Sequence, residues 1–387
     1  MPDTWTVRAF LDPEHRELVE KLDAFTRTEI APLPEPPGDE AARAQAREIL
    51  ASLGAAEWFE PILEQDFRAC CLVREGLAAA SPLADAVFAL QALGLTPILL
   101  SGSGPMLERW FDPAGRGLAM AAFAMTEPEA GSDVASMQTT AVRDGDGYVL
   151  NGTKTLISNA GLADFYTVFA STDPERGRRG ISAFVVPGDA PGLRFVRAQV
   201  TSAAHPLGEI AFDDCRVSAD SRLGEENEGF RLGMATLDGL RATVGAAACG
   251  MGERALEEAT RHALDREQFG ERLASFQLIK EKLARMATDL AAARLLVYRA
   301  AWEKDRGAER VTVPSAMAKA FATEAAQRIV DDAVQVLGGR GVLAEHPVDR
   351  LYRAVRALRI YEGTTEIQHL IVANHLIESE ESESAED

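Results

Sequence analysis

The sequence predicts an α+β multidomain fold: an N-terminal helical domain (1–120), a middle β-barrel or sandwich (121–225) and a C-terminal helical bundle (226–377). Three observations predict it. Residues 1–120 carry helix-length apolar runs cut by Pro and Gly; residues 121–225 switch to short alternating segments around Gly turns; beyond 226 the runs become long and Ala-rich. At 387 residues the chain exceeds what a single ordinary core organises, so several domains are expected.

In the first region residues 14–30 form a helical run that ends at Pro32-Leu33-Pro34-Glu35-Pro36-Pro37, because Pro lacks the N–H that a helix interior needs. Further helices are expected over 41–53, 67–80 and 83–93. In the second region β-formers flank Asp144-Gly145-Asp146-Gly147, a hairpin signal. Strands are also expected over 165–170, 181–186, 193–196 and 209–212, and Asn151-Gly152 reads as a tight turn. In the third region Phe276, Ile279, Leu283, Met286, Leu290, Ala293, Val297 and Ala300 recur at alternating steps of three and four. That is the seam of a helix packed in a bundle, with Ser275 as its N-cap. A helix over 315–337 stops at Gly338-Gly339, and Thr365-Glu366-Ile367-Gln368 has capping-box spacing for the last helix. Residues 378–387 read as a disordered acidic tail, and no internal repeat is found.

Forty Lys and Arg against sixty Asp and Glu leave a net charge of −20. Such a chain repels nucleic acid and anionic membranes, and no basic run offsets this: Arg176, Arg178 and Arg179 are broken by Gly177. Cys70-Cys71, Cys215 and Cys249 make neither a disulfide framework nor a zinc spacing, so no metal is expected. The start, Met1-Pro2-Asp3-Thr4, has no leader pattern, and residues 86–100 are the nearest approach to a membrane span but are short and hold Gln91 and Pro97. A cytoplasmic location is the expectation.

The common nucleotide fingerprints are absent: no G-x-G-x-x-G, no Walker loop and no G-x-S-x-G elbow. Five segments remain. Met125-Thr126-Glu127-Pro128-Glu129-Ala130-Gly131-Ser132-Asp133, preceded by Phe123, brings small residues and hydroxyls to a domain junction; equally, Thr126 and Glu129 read as a capping box around a turn. Asn151 to Gly161 reads as strand and loop. Asp265-Arg266-Glu267-Gln268-Phe269-Gly270, with Gln277 beyond it, offers an Arg that meets either solvent or a phosphate. Gln335-Val336-Leu337-Gly338-Gly339 is by itself an ordinary helix end. In Tyr361-Glu362-Gly363-Thr364-Thr365-Glu366 a carboxylate between an aromatic residue and a Gly suits a partly desolvated base, although a lone loop Glu is usually solvated and inert.

Taken together, in this order and spacing, the five segments resemble the acyl-CoA dehydrogenase family over residues 5–377. The resemblance implies a helical domain, a β-domain and a four-helix bundle, with FAD as cofactor. It implies flavin contacts from Phe123, Met125, Thr126, Gly131, Ser132, Leu156, Ile157 and Ser158, with the Thr126 hydroxyl on the pyrimidine side and Ser158 near N5. Leu156 stands where the family usually has Trp, which puts packing on the flavin face and contact with the electron acceptor in doubt. Arg266, Gln268, Phe269, Gln277, Gln335, Gly338 and Gly339 match FAD contacts across a subunit interface, so the resemblance implies a homotetramer built as a dimer of dimers; Thr364 and Glu366 match further FAD contacts. Ser132, Asp238, Leu240, Arg241 and Gly363 fall at the acyl-CoA substrate. Glu362 matches the catalytic base of the main branch, and the alternative position near Leu240 is not acidic.

The implied reaction is α,β-dehydrogenation of an acyl-CoA to a trans-2-enoyl-CoA, with electrons passing to an electron-transfer flavoprotein. Two other readings stand beside it: a flavin oxidase or monooxygenase on the same scaffold, and a non-catalytic relative that binds partners.

Overall fold

The computed structural model describes residues 2–386, with side chains to residue 382. Its main helices are α1 (Pro13–Phe25), α2 (Asp39–Ala55), α3 (Phe67–Ala80), α4 (Pro82–Ser101), α5 (Gly229–Asp265), α6 (Gln277–Asp305), α7 (Thr312–Leu337), α8 (Pro347–Leu358) and α9 (Thr365–Glu386). Two compact units form. The helical unit takes the chain up to Leu33, Asp66–Asp85 and everything from Asp238; the sheet unit takes Pro34–Gln65 and Ala86–Leu237.

In the sheet unit the strands are β1 (Ala121–Ala124), β2 (Thr140–Asp144), β3 (Gly147–Ser158), β4 (Phe165–Ser171), β5 (Ile181–Pro187), β6 (Leu193–Ala198), β7 (Leu207–Ser218) and β8 (Arg222–Leu223). They run in the order β6-β7-β3-β2-β4-β5-β8, with β1 parallel to β4. Beta2 meets β4 only where Thr140 faces Ser171, so two antiparallel halves are joined at a single pair. The expected hairpin closes at Asp144 opposite Gly147, with Gly145 at φ 62°, a conformation that favours glycine. Asn151-Gly152, however, is not a turn. It lies inside β3 at a register shift against β7, and a Cβ on Gly152 would sit 2.5 Å from Thr139 Oγ1. The glycine therefore permits a close approach of chains rather than a reversal.

Helix α4 runs eight residues past the expected end at 93 and continues through Pro97. Burial overrides the breaker: Gln91 is fully buried and anchors the helix by donating to the Ala114 and Ala119 carbonyls at 2.8 and 2.7 Å and accepting the Ala121 N–H at 3.0 Å. This helix is long and apolar enough to cross a membrane, but its most apolar stretch is 72% buried, as in a core helix. Alpha2 is tied to the sheet by Arg43, which donates to the Ala160 and Leu207 carbonyls at 2.6 and 2.7 Å, and by Arg47, 2.7 Å from Asp164.

In the helical unit the α6 seam is buried from Met286 onward, while Phe276, Ile279 and Leu283 stay half-exposed. Ser275 does not cap α6. A short 3-10 turn over Leu273–Ser275 carries the chain one residue further, and Phe276 takes the cap position. Helix α7 ends as expected, at Gly338 with φ 59°. Helix α9 is capped by Thr364, whose Oγ1 accepts the Ile367 N–H at 3.3 Å. Thr365 and Gln368, the expected capping pair, are spent elsewhere: the Thr365 hydroxyl on Glu324 at 2.9 Å, the Gln368 amide on the turn before the helix. The acidic tail continues α9 to Glu386 instead of being disordered, because extending a nucleated helix with Glu and Ala costs little; Asp387 lies outside the described residues.

Charge is buried along α3. Glu75 accepts from Arg294 Nε at 2.7 Å and from the Tyr298 hydroxyl at 2.8 Å, and Arg294 also reaches Glu253 at 2.7 Å. Arg68 bridges Asp305 and Asp12 at 2.6 and 2.8 Å. Asp12, Glu14 and His15 bring three oxygen and nitrogen ligands close together, but both His15 ring nitrogens are engaged, Nδ1 by the Asp12 N–H and Nε2 by Asp66. Helices α3 and α5 touch at Gly250, where a Cβ would stand 2.0 Å from the Glu75 carbonyl oxygen. Gly250→Ala is therefore expected to destabilise by at least about 2 kcal/mol through forced separation of the two helices, read as a lowered urea midpoint. An unchanged midpoint would contradict this contact.

Candidate active site

Glu362 lies in the turn between α8 and α9, at φ 54°. A Glu in this left-handed region is strained and persists only where its surroundings over-determine it. They do. Its carbonyl accepts from Gln368 Nε2 at 3.4 Å and lies 3.5 Å from Arg241 Nε; the next carbonyl, Gly363, accepts from Lys319 Nζ at 2.6 Å and from Gln368 at 3.1 Å. Arg241 from α5 and Lys319 from α7 thus each reach one of these two successive carbonyls, and Gln368 from α9 reaches both.

The carboxyl itself is treated differently. Its Oε2 is buried and meets no hydrogen-bond partner among the described residues. Burial pushes the Glu362 carboxyl above the ordinary carboxylate range, while Arg74, Lys319 and Arg241 pull the other way without overcoming it. Burial draws the Lys319 ammonium down to about 8, with Glu362 opposing. The Glu362 N–H also meets no acceptor among the described residues. Arg241 is paired with Asp238, which accepts the Thr312 hydroxyl at 2.7 Å, and Leu240 is buried beside them. Glu362, Gly363, Asp238, Leu240 and Arg241 therefore come together in one unit.

The predicted flavin-side residues gather in the sheet unit. Phe123 packs on Phe169 with ring centroids 4.9 Å apart; Met125 and Ile157 are buried; Gly131 and Ser132 are exposed. Thr126 is half-buried and its carbonyl accepts the Thr155 N–H at 3.0 Å. The alternative capping box at Thr126 does not form: Glu127 and Ala130 pair across a tight turn, and Glu127 turns inward to Lys154 at 2.7 Å. Leu156 is 56% exposed at φ 55°, its N–H bonded to Gln199 Oε1 at 2.8 Å. Ser158 Oγ lies 2.7 Å from His205 Nε2.

Burial works against charge on Glu127, but Lys154, Thr139 and the Gln138 N–H outweigh it and hold the carboxyl below its ordinary range. Its folded value lies below its unfolded one, so the stability it contributes is present above about pH 4.5 and is lost as pH falls through the folded value. Thermal unfolding between pH 6 and 3 should show this loss, and Glu127→Gln should make the decline shallower. An equally steep decline in the variant would remove Glu127 from the account.

The remaining predicted residues lie on the surface of the helical unit. Arg266, Gln268 and Phe269 occupy a two-stranded hairpin, β9 (Glu267–Gln268) and β10 (Glu271–Arg272), with Phe269 95% exposed and edge-on to Phe276 at 6.3 Å. Gln277, Gln335, Gly338, Gly339 and Glu366 are exposed and Thr364 is half-buried. Sequence reasoning missed Lys319, Gln368, Arg74 and His205. The legible signal was a charge inside an otherwise small, apolar helical face, as Lys319 is among the alanines of α7.

A strained turn that holds one carboxyl oxygen buried without a partner, with Arg241 and Lys319 on its backbone, is a geometry that suits a general base. The chain belongs to the acyl-CoA dehydrogenase family, a family of FAD-dependent oxidoreductases. The family's C-terminal domain matches residues 227–377 and its middle domain residues 122–215. A probable acyl-CoA dehydrogenase of Mycobacterium leprae is 38% identical over 377 residues, covering 95% of this chain and 96% of the relative. Butyryl-CoA dehydrogenase of Megasphaera elsdenii superposes with a TM-score of 0.88 at 34% identity, covering 95% and 99% of the two chains. PigA, solved with FAD and proline, gives 0.86 at 28% identity over 95% and 98%. The residues present fit a flavin: the hydroxyls of Thr126, Ser132 and Ser158 supply the mixed donor–acceptor set a flat heteroaromatic ring needs, and the side chain of Leu156 is uncovered.

Proposed function

We propose that this chain dehydrogenates an acyl-CoA thioester to the trans-2-enoyl-CoA, with Glu362 removing the α-proton. The observation that carries the reading is the half-buried Glu362: its Oε2 is buried without a hydrogen-bond partner among the described residues, on a strained turn held from three helices. A thioester α-proton is too weakly acidic for a carboxylate in water. Desolvation raises the basicity of Glu362, and the unpartnered Glu362 N–H is a donor for the thioester oxygen where enolate charge develops. Arg241 and Lys319, bonded to the backbone of the turn, hold that donor still. FAD, when bound, would supply the acceptor for the β-hydride. Thr126, Ser132 and Ser158, with Phe123, Met125, Gly131, Leu156 and Ile157, are proposed to hold its ring. Asp238, Leu240, Arg241 and Gly363 are proposed to border the substrate.

The exposed hairpin at Arg266–Phe269, with Gln277 and the Gln335–Gly339 helix end, is proposed to hold the FAD of a second subunit in a homotetramer, while Thr364 and Glu366 serve the chain's own. Half-exposed apolar residues on the first turns of α6, together with Leu278 at 79% exposure, favour coverage by another copy. An electron-transfer flavoprotein is the proposed acceptor, the cytoplasm the proposed location, and the division at 120 and 225 the proposed domain plan.

The test is an anaerobic visible titration of the purified flavoprotein with butyryl-, isovaleryl-, 3-phenylpropanoyl- and palmitoyl-CoA. Bleaching by one of them is expected and also assigns the acyl class; a flavin that none of them bleaches counts against the reading. The exposed Leu156 favours a second reading, an oxidase that passes electrons to oxygen. Rapid recolouring of the bleached flavin in air would support it.

A further inference from the structure

This inference rests on the reading of Ser158 as a flavin contact and concerns what holds its hydroxyl. The end of β3 that carries Ser158 is irregular. Lys154 pairs with Ile210 on β7 and Ile157 with Gly208, so Thr155 and Leu156 together face the one residue Glu209. Such a bulge re-aims side chains and leaves ladder groups without their usual partners. The connection between β6 and β7, residues 199–206, supplies new ones. Gln199 accepts the Leu156 N–H through Oε1 at 2.8 Å and donates from Nε2 to the Thr155 hydroxyl at 2.9 Å. At the other end of the connection, His205 Nε2 lies 2.7 Å from Ser158 Oγ.

The backbone of this strand end is held without His205. Ser158 pairs with Leu207 across the ladder, the Asn159 N–H donates to the Pro206 carbonyl at 2.9 Å, and Arg43 donates to the Leu207 and Ala160 carbonyls. The imidazole bond therefore closes no gap in the sheet. What it fixes is the hydroxyl. A serine hydroxyl turns about its C–O bond and carries a single proton, so one strong partner decides where that proton and the lone pairs point. His205 is half-buried, and burial together with Arg43 draws its imidazolium down to about 4. At neutral pH the ring is therefore neutral and offers one donor and one acceptor. Either tautomer fills one side of the Ser158 oxygen and leaves the remaining donor or acceptor for a second partner. We propose that His205 is a positioning residue for the cofactor: it holds the Ser158 hydroxyl in the orientation that meets the flavin ring, while Gln199 keeps the neighbouring bulge in shape.

The test follows release of FAD from the loaded full-length chain on dilution, read as the rise of free-flavin fluorescence, in S158A, H205F, H205Q and S158A/H205F. Phe keeps a ring of similar bulk without a hydrogen bond, whereas the Gln amide places a donor or an acceptor near the position of Nε2. S158A and H205F should each release FAD about 3–10-fold faster than the parent, the range expected for one net hydrogen bond. H205Q should stay within about twofold of the parent. Both single variants remove the same contact, so S158A/H205F should release FAD no more than about twofold faster than S158A. A packing role would instead lower Tm in H205F and H205Q alike and add its full effect on top of S158A. That result, or parental release in H205F, overturns the proposal. Should H205F not fold, H205A takes its place with the same expected outcomes. If S158A itself releases FAD at the parental rate, the flavin reading of Ser158 fails and this proposal with it; if S158A is fast while H205F behaves as the parent, only the His205 proposal fails.

Discussion

Replacing Glu362 with Gln is expected to leave FAD bound and its visible spectrum nearly unchanged, while reduction by acyl-CoA falls by about 10^4-fold. Gln is close in shape to the protonated acid. The turn should keep its form because its anchors, Arg241, Lys319 and Gln368, all bond backbone carbonyls and none bonds the carboxyl. Substrate binding should therefore be largely retained, and the loss should fall on the reduction step. A rapid-mixing measurement of flavin bleaching, with acyl-CoA affinity followed separately, tests both parts. Reduction within tenfold of the parent would move the base elsewhere. The raised carboxyl value gives a second readout: in the parent the rate should decline on the acid side at a pH above the ordinary carboxylate range, and in the variant that limb should vanish.

The other large effect is expected at Arg294. Its guanidinium joins Glu75 and Glu253, and Glu75 also receives the Tyr298 hydroxyl, all within helices α3, α5 and α6. Arg294→Met leaves Glu75, itself 1% exposed, without its countercharge. Removing one partner of a buried pair costs about 3–5 kcal/mol, far more than the pair contributes over an apolar replacement. Urea unfolding should show that loss in the helical unit. A change below about 1 kcal/mol would mean that water or a rearranged Arg254 takes over the charge. Glu75→Leu combined with Arg294→Met should recover part of the loss, because no isolated charge then stays buried.

Much of the architecture was readable from local pattern alone. The Asp144–Gly147 hairpin, the start and end of α3 and the stop of α7 at Gly338 follow from turn chemistry and helix periodicity, which act over a few residues. The misreadings share a cause. The helix from 83 was expected to stop at 93, Gly152 looked like a turn and Thr365 like a cap, and each was overruled by a partner elsewhere along the chain: burial around Gln91, Thr139 against Gly152, and Glu324 on Thr365. The acidic tail is the exception, since there the helix simply propagated.

The site divides in the same way. The sequence by itself determined which residue types stand in each segment, a Glu beside a Gly and hydroxyls on a strand end, and from their order the family. Only the tertiary structure decided that one oxygen of the Glu362 carboxyl is buried without a partner, that its turn is strained, and that Arg241 and Lys319 bond the backbone of that turn from two helices. The reason is physical: composition and spacing record what each residue can do, whereas desolvation and field at a carboxyl depend on groups separated by up to 288 positions, from Arg74 to Glu362.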